Sequence, residues 1–189
     1  MQTEIILAGF GGQGILFAGQ LLAYAGMDSG KKVTWIPSYG PEMRGGTANC
    51  TVIISDEEIG SPNVRNPKAA LAFNLPSFGK YESVVVPGGV FIGNASLINL
   101  EFTRSDLNAL LIPANEIAEE IGDKRLTNMV MVGAMLNMLP ILTIEILEST
   151  LTQHLPSRHK RLLPLNFQAL QSGAEFARKS REGTPINLY

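Results

Sequence analysis

A chain of 189 residues, 45% of them apolar, can build one domain with a sizeable core. Fifteen Lys and Arg against seventeen Asp and Glu leave a net charge of −2, which argues against a dedicated nucleic-acid binder. Only 17% of residues are charged, below the roughly 25% of an average soluble chain, so part of the surface is expected to face a partner. Glu4 to Ala8 reads as a short buried strand, followed by a glycine-rich turn, Gly9-Phe10-Gly11-Gly12-Gln13-Gly14. Apolar residues at helical spacing predict a helix over Ile15 to Met27, stopped by Gly26 or Gly30, and Lys32 to Pro37 predicts a second strand. These pieces make a β-turn-α-β unit.

Ser38 to Gly46 is a loop dense in turn-forming residues, and Thr47 to Ser55 is a third strand built on Val52-Ile53-Ile54. Ala69 to Phe73 reads as a small-residue strand of the buried parallel kind, then Leu75 to Lys80 as a short helix. Ser83 to Pro87 and Val90 to Gly93 predict a hairpin around Gly88-Gly89. Ala109 to Pro113 is the last expected strand. The remainder reads as helical: Asn115 to Ile121 with Gly122 as its stop, the Met-rich Thr127 to Leu139, Thr143 to Thr152 capped by Thr143, and Asn166 to Lys179. Interleaved strands and helices imply a three-layer, Rossmann-like α/β fold. Its mainly parallel or mixed sheet carries helices on both faces, and the C-terminal third is helical. The division expected is a domain over residues 1–155 with a helical extension over 156–189.

The single cysteine, Cys50, excludes an intrachain disulfide, a Cys-rich zinc site and a four-cysteine iron–sulfur cluster held by this chain alone. Within a strand it reads as a buried small hydrophobe. His154 and His159, with Pro156 between them, read as solvated loop residues rather than metal ligands, so no metal site is expected. The basic run from His154 to Leu163 reads as a solvated connector rather than an anion-facing patch. The Met129, Met131, Met135 and Met138 cluster reads as core, although methionine also suits adaptable interfaces. The start Met1-Gln2-Thr3-Glu4 lacks a basic n-region, and Met129 to Leu142 is too short and too interrupted for a membrane span. A soluble cytoplasmic protein without membrane or nucleic-acid partners is the expectation.

Gly9-x-Gly11-x-x-Gly14, after a strand and before a helix, matches a dinucleotide fingerprint. That reading needs an acidic residue at the end of the second strand, where Trp35-Ile36-Pro37-Ser38 offers none. Three readings stay open at this stage: a dinucleotide site; another phosphate-bearing ligand or a subunit contact at Gly9, Gly11, Gly12, Gln13 and Gly14; or tight packing of the turn on the sheet with no ligand. The loop Ser38-Tyr39-Gly40-Pro41-Glu42-Met43-Arg44-Gly45-Gly46 leaves the carboxyl end of the second strand, where open α/β sheets place ligands. Ser38, Tyr39, Glu42 and Arg44 put a hydroxyl, a phenol, a carboxylate and a guanidinium there. The alternative is a structural loop in which Glu42 and Arg44 pair with each other. No Ser-His-Asp set and no Walker motif is present.

The two motifs in this order, with Asn49-Cys50-Thr51-Val52, Ser55-Asp56-Glu57-Glu58-Ile59-Gly60-Ser61-Pro62, Pro113-Ala114 and Asn128-Met129-Val130 behind them, resemble the gamma subunit of 2-oxoacid:ferredoxin oxidoreductases over about residues 3 to 150. The resemblance implies one component of a hetero-oligomeric enzyme. Its alpha, beta and, where separate, delta subunits hold thiamine diphosphate with magnesium and the iron–sulfur clusters. The complex decarboxylates a 2-oxoacid, forms an acyl-CoA and reduces ferredoxin or a flavodoxin. This chain alone would bind none of these cofactors and be inactive. It has neither the cysteines for clusters nor a Gly-Asp-Gly…Asn magnesium–diphosphate pattern. On the resemblance, the Gly9 to Gly14 turn lies at a subunit junction or near the CoA phosphates. Ser38 or Tyr39 would then reach the substrate carboxylate, and Arg44 would pair with a carboxylate or hold the loop on the neighbour. The substrate expected is 2-oxoglutarate, with pyruvate or a branched-chain 2-oxoacid as alternatives and an arylpyruvate disfavoured. A free-standing nucleotide-binding oxidoreductase and a purely structural adaptor are the competing classes.

Overall fold

Alternation of period two along the apolar segments gives both faces of a sheet something to bury. The computed structural model describes residues 1–39 and 46–183. The strands are β1 (Gln2–Phe10), β2 (Lys32–Tyr39), β3 (Thr47–Ser55), β4 (Ala69–Ala72), β5 (Val90–Asn94) and β6 (Asn108–Ile112). The helices are α1 (Ile15–Asp28), α2 (Leu75–Tyr81), α3 (Ala114–Ile121), α4 (Thr127–Met138), α5 (Ile144–His154) and α6 (Leu163–Arg181). The strands form one mixed sheet in the order β2-β3-β1-β4-β5-β6. β1, β4, β5 and β6 run parallel, and β3 is antiparallel to both β1 and β2.

Parity assigns each side chain to a layer. Ile5, Leu7, Cys50, Val52, Ile54, Leu71 and Ile92 point into the larger core, which they share with α1, α4, α5 and α6. Ile6, Ala8, Ala70, Ala72 and Phe91 point the other way, into a smaller core closed by Phe78 of α2, Val85 and Ile98. Phe78, Phe91 and Phe102 pack there as one aromatic group, with ring centroids 5.3 to 6.0 Å apart. This second layer covers the β1-β4-β5-β6 half. Under β2 and the first half of β3, Ile36, Ser38, Asn49 and Thr51 stay wholly or partly exposed.

One expectation is corrected. The chain makes no hairpin around Gly88-Gly89. Glu82–Val84 is a 3-10 turn, and β5 lies parallel between β4 and β6. The valine run at 84–86 has strand propensity, but both edges of β4 are already taken by β1 and β5. The run's carbonyls go instead to a side chain: Arg104 Nη1 donates to Val85 O at 2.6 Å and to Glu82 O at 3.1 Å. The buried Glu82 carboxylate accepts from the N–H groups of Thr103 and Arg104, closing the same clamp. The β-turn-α-β unit is present as β1, α1 and β2, with β3 inserted between the two strands in the sheet.

Cys50 is fully buried on β3 against α1, and its Sγ lies 3.6 Å from the Ile15 carbonyl. Burial pushes its thiol from the ordinary 9.0 up to about 12, opposed in smaller part by the neighbouring Trp35 indole. The folded state therefore keeps its proton at pH values where the unfolded thiol ionises. Stability is intact below about pH 9 and declines as pH rises toward 12. The native protein is expected to show no thiol reactive toward Ellman's reagent at pH 8 and one after urea denaturation. The urea midpoint should fall between pH 9 and pH 11, more than in Cys50→Ala. A native thiol that reacts at the rate of free cysteine would contradict this account.

Candidate functional site

The carboxyl ends of β1, β4, β5 and β6 share one edge of the sheet with the start of β3 and the end of β2. From β1 the chain turns through residues 11–14 into α1 on one face. From β4 it enters α2 on the other. The crevice between β1 and β4 is therefore the switch point at which doubly wound sheets receive ligands.

The glycine turn is built from inside. Gln13 folds back into it: its Oε1 accepts from the Phe10 N–H at 2.6 Å, and its Nε2 donates to Phe73 O at 3.2 Å. The side chain thus ties the ends of β1 and β4 together. Gly11 N–H donates to Gly46 O at 2.9 Å, joining the turn to the start of β3. Gly14 has φ +72 and receives Asn128 of α4, whose Nδ2 donates to Gly14 O at 3.0 Å. Among the described residues, the N–H groups of Gly12, Gly14, Ile15, Leu16 and Phe17 take no hydrogen bond, which leaves donors at the α1 N-terminus. No acidic residue lies in the first turn of α1.

The turn separates two cavities of opposite character. One, of about 310 Å³, is lined by Phe10, Gly11, Gly14, Ile15, Leu16 and Phe17, with Phe10 and Phe17 more than a third exposed. The other, of about 340 Å³, is lined by polar and charged residues and lies between Gly12-Gln13 and Asn115, Glu119, Lys124, Arg125 and Thr127. Lys124 and Arg125 are not free cations. Lys124 pairs with Glu119 at 2.7 Å and Arg125 with Asp123 at 2.6 Å, and the Arg125 guanidinium holds the Asp123 carboxyl below the usual carboxylate range. Both cations are about three-quarters exposed, so these pairs are weak and open to exchange with an incoming anion.

A pair of hydrogen-bonded asparagines at the same edge, Asn94 and Asn115, had no sequence signal. Buried Asn94, at the end of β5, donates to Asn115 Oδ1 at 3.1 Å and accepts from the N–H groups of Ser96 and Ala114. Ser96 in turn accepts from the Asn115 N–H and hydrogen-bonds Glu116. Asn74 caps α2 through Ser77 N–H at 2.9 Å, while its buried Nδ2 has no partner among the described residues. Its signal was available: an asparagine followed by Pro76 at the second helical position is a capped helix start.

Of the residues named from sequence, Gly9, Gly11, Gly12, Gln13 and Gly14 come together in this turn. Ser38 lies exposed on edge strand β2, paired with Asn49, and Tyr39 ends that strand opposite Ala48. Glu42 and Arg44 lie outside the described residues. The dinucleotide geometry is not reproduced: the end of β2 is two strand spacings, about 10 Å, from β1 rather than beside it. Among the described residues no group of three His, Cys, Asp or Glu side chains can hold a metal, and no helix is long and apolar enough to cross a membrane. The arrangement can bind an elongated ligand with an anionic and an apolar part. Its described residues contain no nucleophile–base pair.

Residues 4–176 match the family model for pyruvate ferredoxin/flavodoxin oxidoreductase. The ketoisovalerate oxidoreductase subunit VorA of Methanothermobacter marburgensis is 37% identical over 183 residues; the match covers 96% of this chain, which spans only 38% of that relative's length. The 2-oxoglutarate synthase subunit KorC of Methanocaldococcus jannaschii is 34% identical over 95% of this chain and 96% of its own. The crystal structure of the gamma subunit of a keto/oxoacid ferredoxin oxidoreductase from Geobacter sulfurreducens superposes with a TM-score of 0.79 at 29% identity, covering 93% of this chain and 98% of that one. With its glycine turn, its inserted antiparallel strand and a match over nearly its whole length, the chain belongs to the pyruvate ferredoxin/flavodoxin oxidoreductase family.

Proposed function

We propose that the protein is the gamma component of a heteromeric 2-oxoacid:acceptor oxidoreductase, which converts a 2-oxoacid and CoA to an acyl-CoA and CO2 and passes electrons to ferredoxin or a flavodoxin. The observation that carries this reading is the carboxyl-edge site: two adjoining cavities, one lined by apolar and one by polar and charged residues, on either side of a turn with unbonded N–H groups among the described residues. Such a site positions a ligand for chemistry run elsewhere. This chain's residues do not fit magnesium–diphosphate or an iron–sulfur cluster. Alpha, beta and delta chains would supply thiamine diphosphate, magnesium and the clusters, and with them the decarboxylation and electron transfer. The turn does fit the phosphate part of CoA. Unbonded N–H groups at the α1 N-terminus and exchangeable Lys124 and Arg125 would face the phosphates, with the apolar cavity beside Phe17 for the remainder. Ser38 and Tyr39, and the loop bearing Glu42 and Arg44, would face the catalytic chains beside the open half-face of β2 and β3. The location proposed is the cytoplasm.

For the substrate, 2-oxoglutarate is proposed first, because chains of that name match end to end. A branched 2-oxoacid is the second reading, favoured by the higher identity to the ketoisovalerate subunits. Co-expressed with the chains encoded beside it, the protein is expected to purify in a brown complex. That complex should reduce methyl viologen with CoA and 2-oxoglutarate at least about tenfold faster than with pyruvate or 2-oxoisovalerate, a difference of about 1.4 kcal/mol in the barrier. A preference for 2-oxoisovalerate would select the second reading. Turnover of a 2-oxoacid by the isolated chain, or its tight binding of NADH, would overturn the proposal.

A further inference from the structure

The 3-10 turn at Ser157–Leu162 joins α5 to α6 and buries none of its residues. Between Glu148 and Glu175 the chain has no acidic residue, although it is acidic as a whole. Among the described residues, Arg158, Lys160 and Arg161 make no ion pair; Arg65, Lys68, Lys80 and Arg181 make none either, but they are scattered along the chain, whereas these three lie within four residues of one turn. Arg158 instead donates from Nε to His159 Nε2 at 3.0 Å, a bond that fixes the turn and neutralises nothing.

Arg158 and His159 of this turn form one wall of a groove, and Lys160 and Arg161 lie on the exposed turn beside it. Beneath it a cavity of about 350 Å³ runs between α1 and α5 over the buried Leu21 and Leu151. A second, of about 250 Å³, continues toward the Arg125–Asp123 pair and shares Phe17, Leu155 and His159 with the first. Phe17, 39% exposed, stands at their junction. The far end is rigid. His154 stacks on Tyr24 with centroids 4.4 Å apart and planes within 5°, and its Nε2 lies 3.2 Å from Asp28, which also accepts from Thr150. Asp28 is thereby engaged and does not offset the cations of the turn.

We propose that this groove docks an extended acidic segment of a partner polypeptide, with apolar side chains entering beside Phe17 and Leu155 and carboxylates meeting Arg158 at the groove wall and Lys160 and Arg161 on the exposed turn beside it. The elongated shape suits a strand or loop rather than a compact ion, and the apolar floor with cations along one wall selects alternating apolar and acidic side chains. The groove shares Phe17 and Arg125 with the cavities at the sheet edge, but its unpaired cations lie on the α5–α6 turn, and the inference does not rest on the oxidoreductase reading. Its test uses the full chain alone.

A peptide of alternating Glu and Leu with a central Phe is titrated into the isotopically labelled protein and followed by amide chemical shifts. Its Lys-for-Glu counterpart serves as control. Shifts are expected at Phe17, Tyr24, Leu155 and His159, with binding at least roughly tenfold weaker for the Lys peptide and after raising salt from about 50 to 300 mM. Arg158→Glu with Lys160→Glu and Arg161→Glu, all solvent-exposed positions, should cause a similar loss without changing the urea midpoint. Shifts confined to another face, equal binding of both peptides, or no binding at millimolar peptide would overturn the proposal. So would a dimer in sedimentation that buries Phe17, or binding to phosphatidylglycerol vesicles in place of the peptide.

Discussion

Replacing Gly133 with alanine is expected to cost at least about 3 kcal/mol of folding stability, the upper end of what overpacking a core costs. Helices α4 and α6 cross at two glycines in reciprocal contact. A Cβ on Gly133 would stand 1.9 Å from the Leu170 carbonyl oxygen, and one on Gly173 would stand 2.0 Å from that of Val130. Both obstacles are backbone, so no rotamer change relieves them. The helices must move apart by more than an ångström, which opens the seam that buries Met129, Ala134, Ala169 and Ala177. Alanine's better helix propensity returns only about 1 kcal/mol, so the clash wins. Gly173→Ala should cost a similar amount. The double variant should cost less than the sum, because helices already separated accommodate the second methyl. Gly79→Ala is the control: it lies in α2 with nothing within 4 Å of its would-be Cβ and should gain about 0.5 to 1 kcal/mol. Urea denaturation reads all four. A Gly133→Ala protein as stable as the parent would show that the two helices do not meet backbone to backbone.

The same seam shows what a sequence can disclose. Thr127 to Leu136 is buried on every side, so an apolar helix was legible from composition, as was its use as core. Which neighbour it packs on was not, because Gly133 and Gly173 signal only a small residue. Strands β1, β3 and β4 were legible because β-branched and small residues bounded by turn-formers leave few options. The placement of β3 was not. Whether a third strand joins the sheet beside β1 or beyond β2 depends on pairing between residues such as Ile5 and Val52, 47 positions apart. The valine run near 85 misled because propensity is local and the Arg104 clamp that captures it comes 19 residues later. At the site, the glycine turn announced itself by spacing. The Asn94–Asn115 network did not, since two asparagines on different elements form no local pattern.

Single methyl groups placed around the glycine turn should separate packing from ligand binding. A Cβ on Gly9 would meet Gln13 Oε1 at 2.4 Å and Ile15 and Phe73 at 2.7 Å. Gly9→Ala therefore expels the Gln13 plug and is expected to cost about 2 to 3 kcal/mol whether or not anything binds. Gly14→Ala combines φ +72 with a contact at 2.4 Å to Asn128 Nδ2, an amide that can shift, and should cost about 2 kcal/mol. Gly12 differs. Its φ of +99 charges alanine about 1 to 2 kcal/mol, but nothing lies within 4 Å of the new methyl, which points into open space beside the polar cavity. If CoA phosphates rest on this turn, that space is where they approach. Gly12→Ala in the assembled complex should then raise the KM for CoA at least about tenfold, some 1.4 kcal/mol of lost binding, while the KM for the 2-oxoacid stays within about twofold. Lys124→Ala should move the same constant in the same direction and soften its salt dependence, since it removes a cation that can leave Glu119 for the ligand. A Gly12→Ala complex with an unchanged KM for CoA would assign the turn to packing alone. Gly9 and Gly14 would then be explained by the close approach of Gln13, Phe73 and Asn128 and Gly12 by its positive φ alone, and the ligand would have to be sought elsewhere along the sheet edge, beginning with the Asn74 amide, which is unpartnered among the described residues.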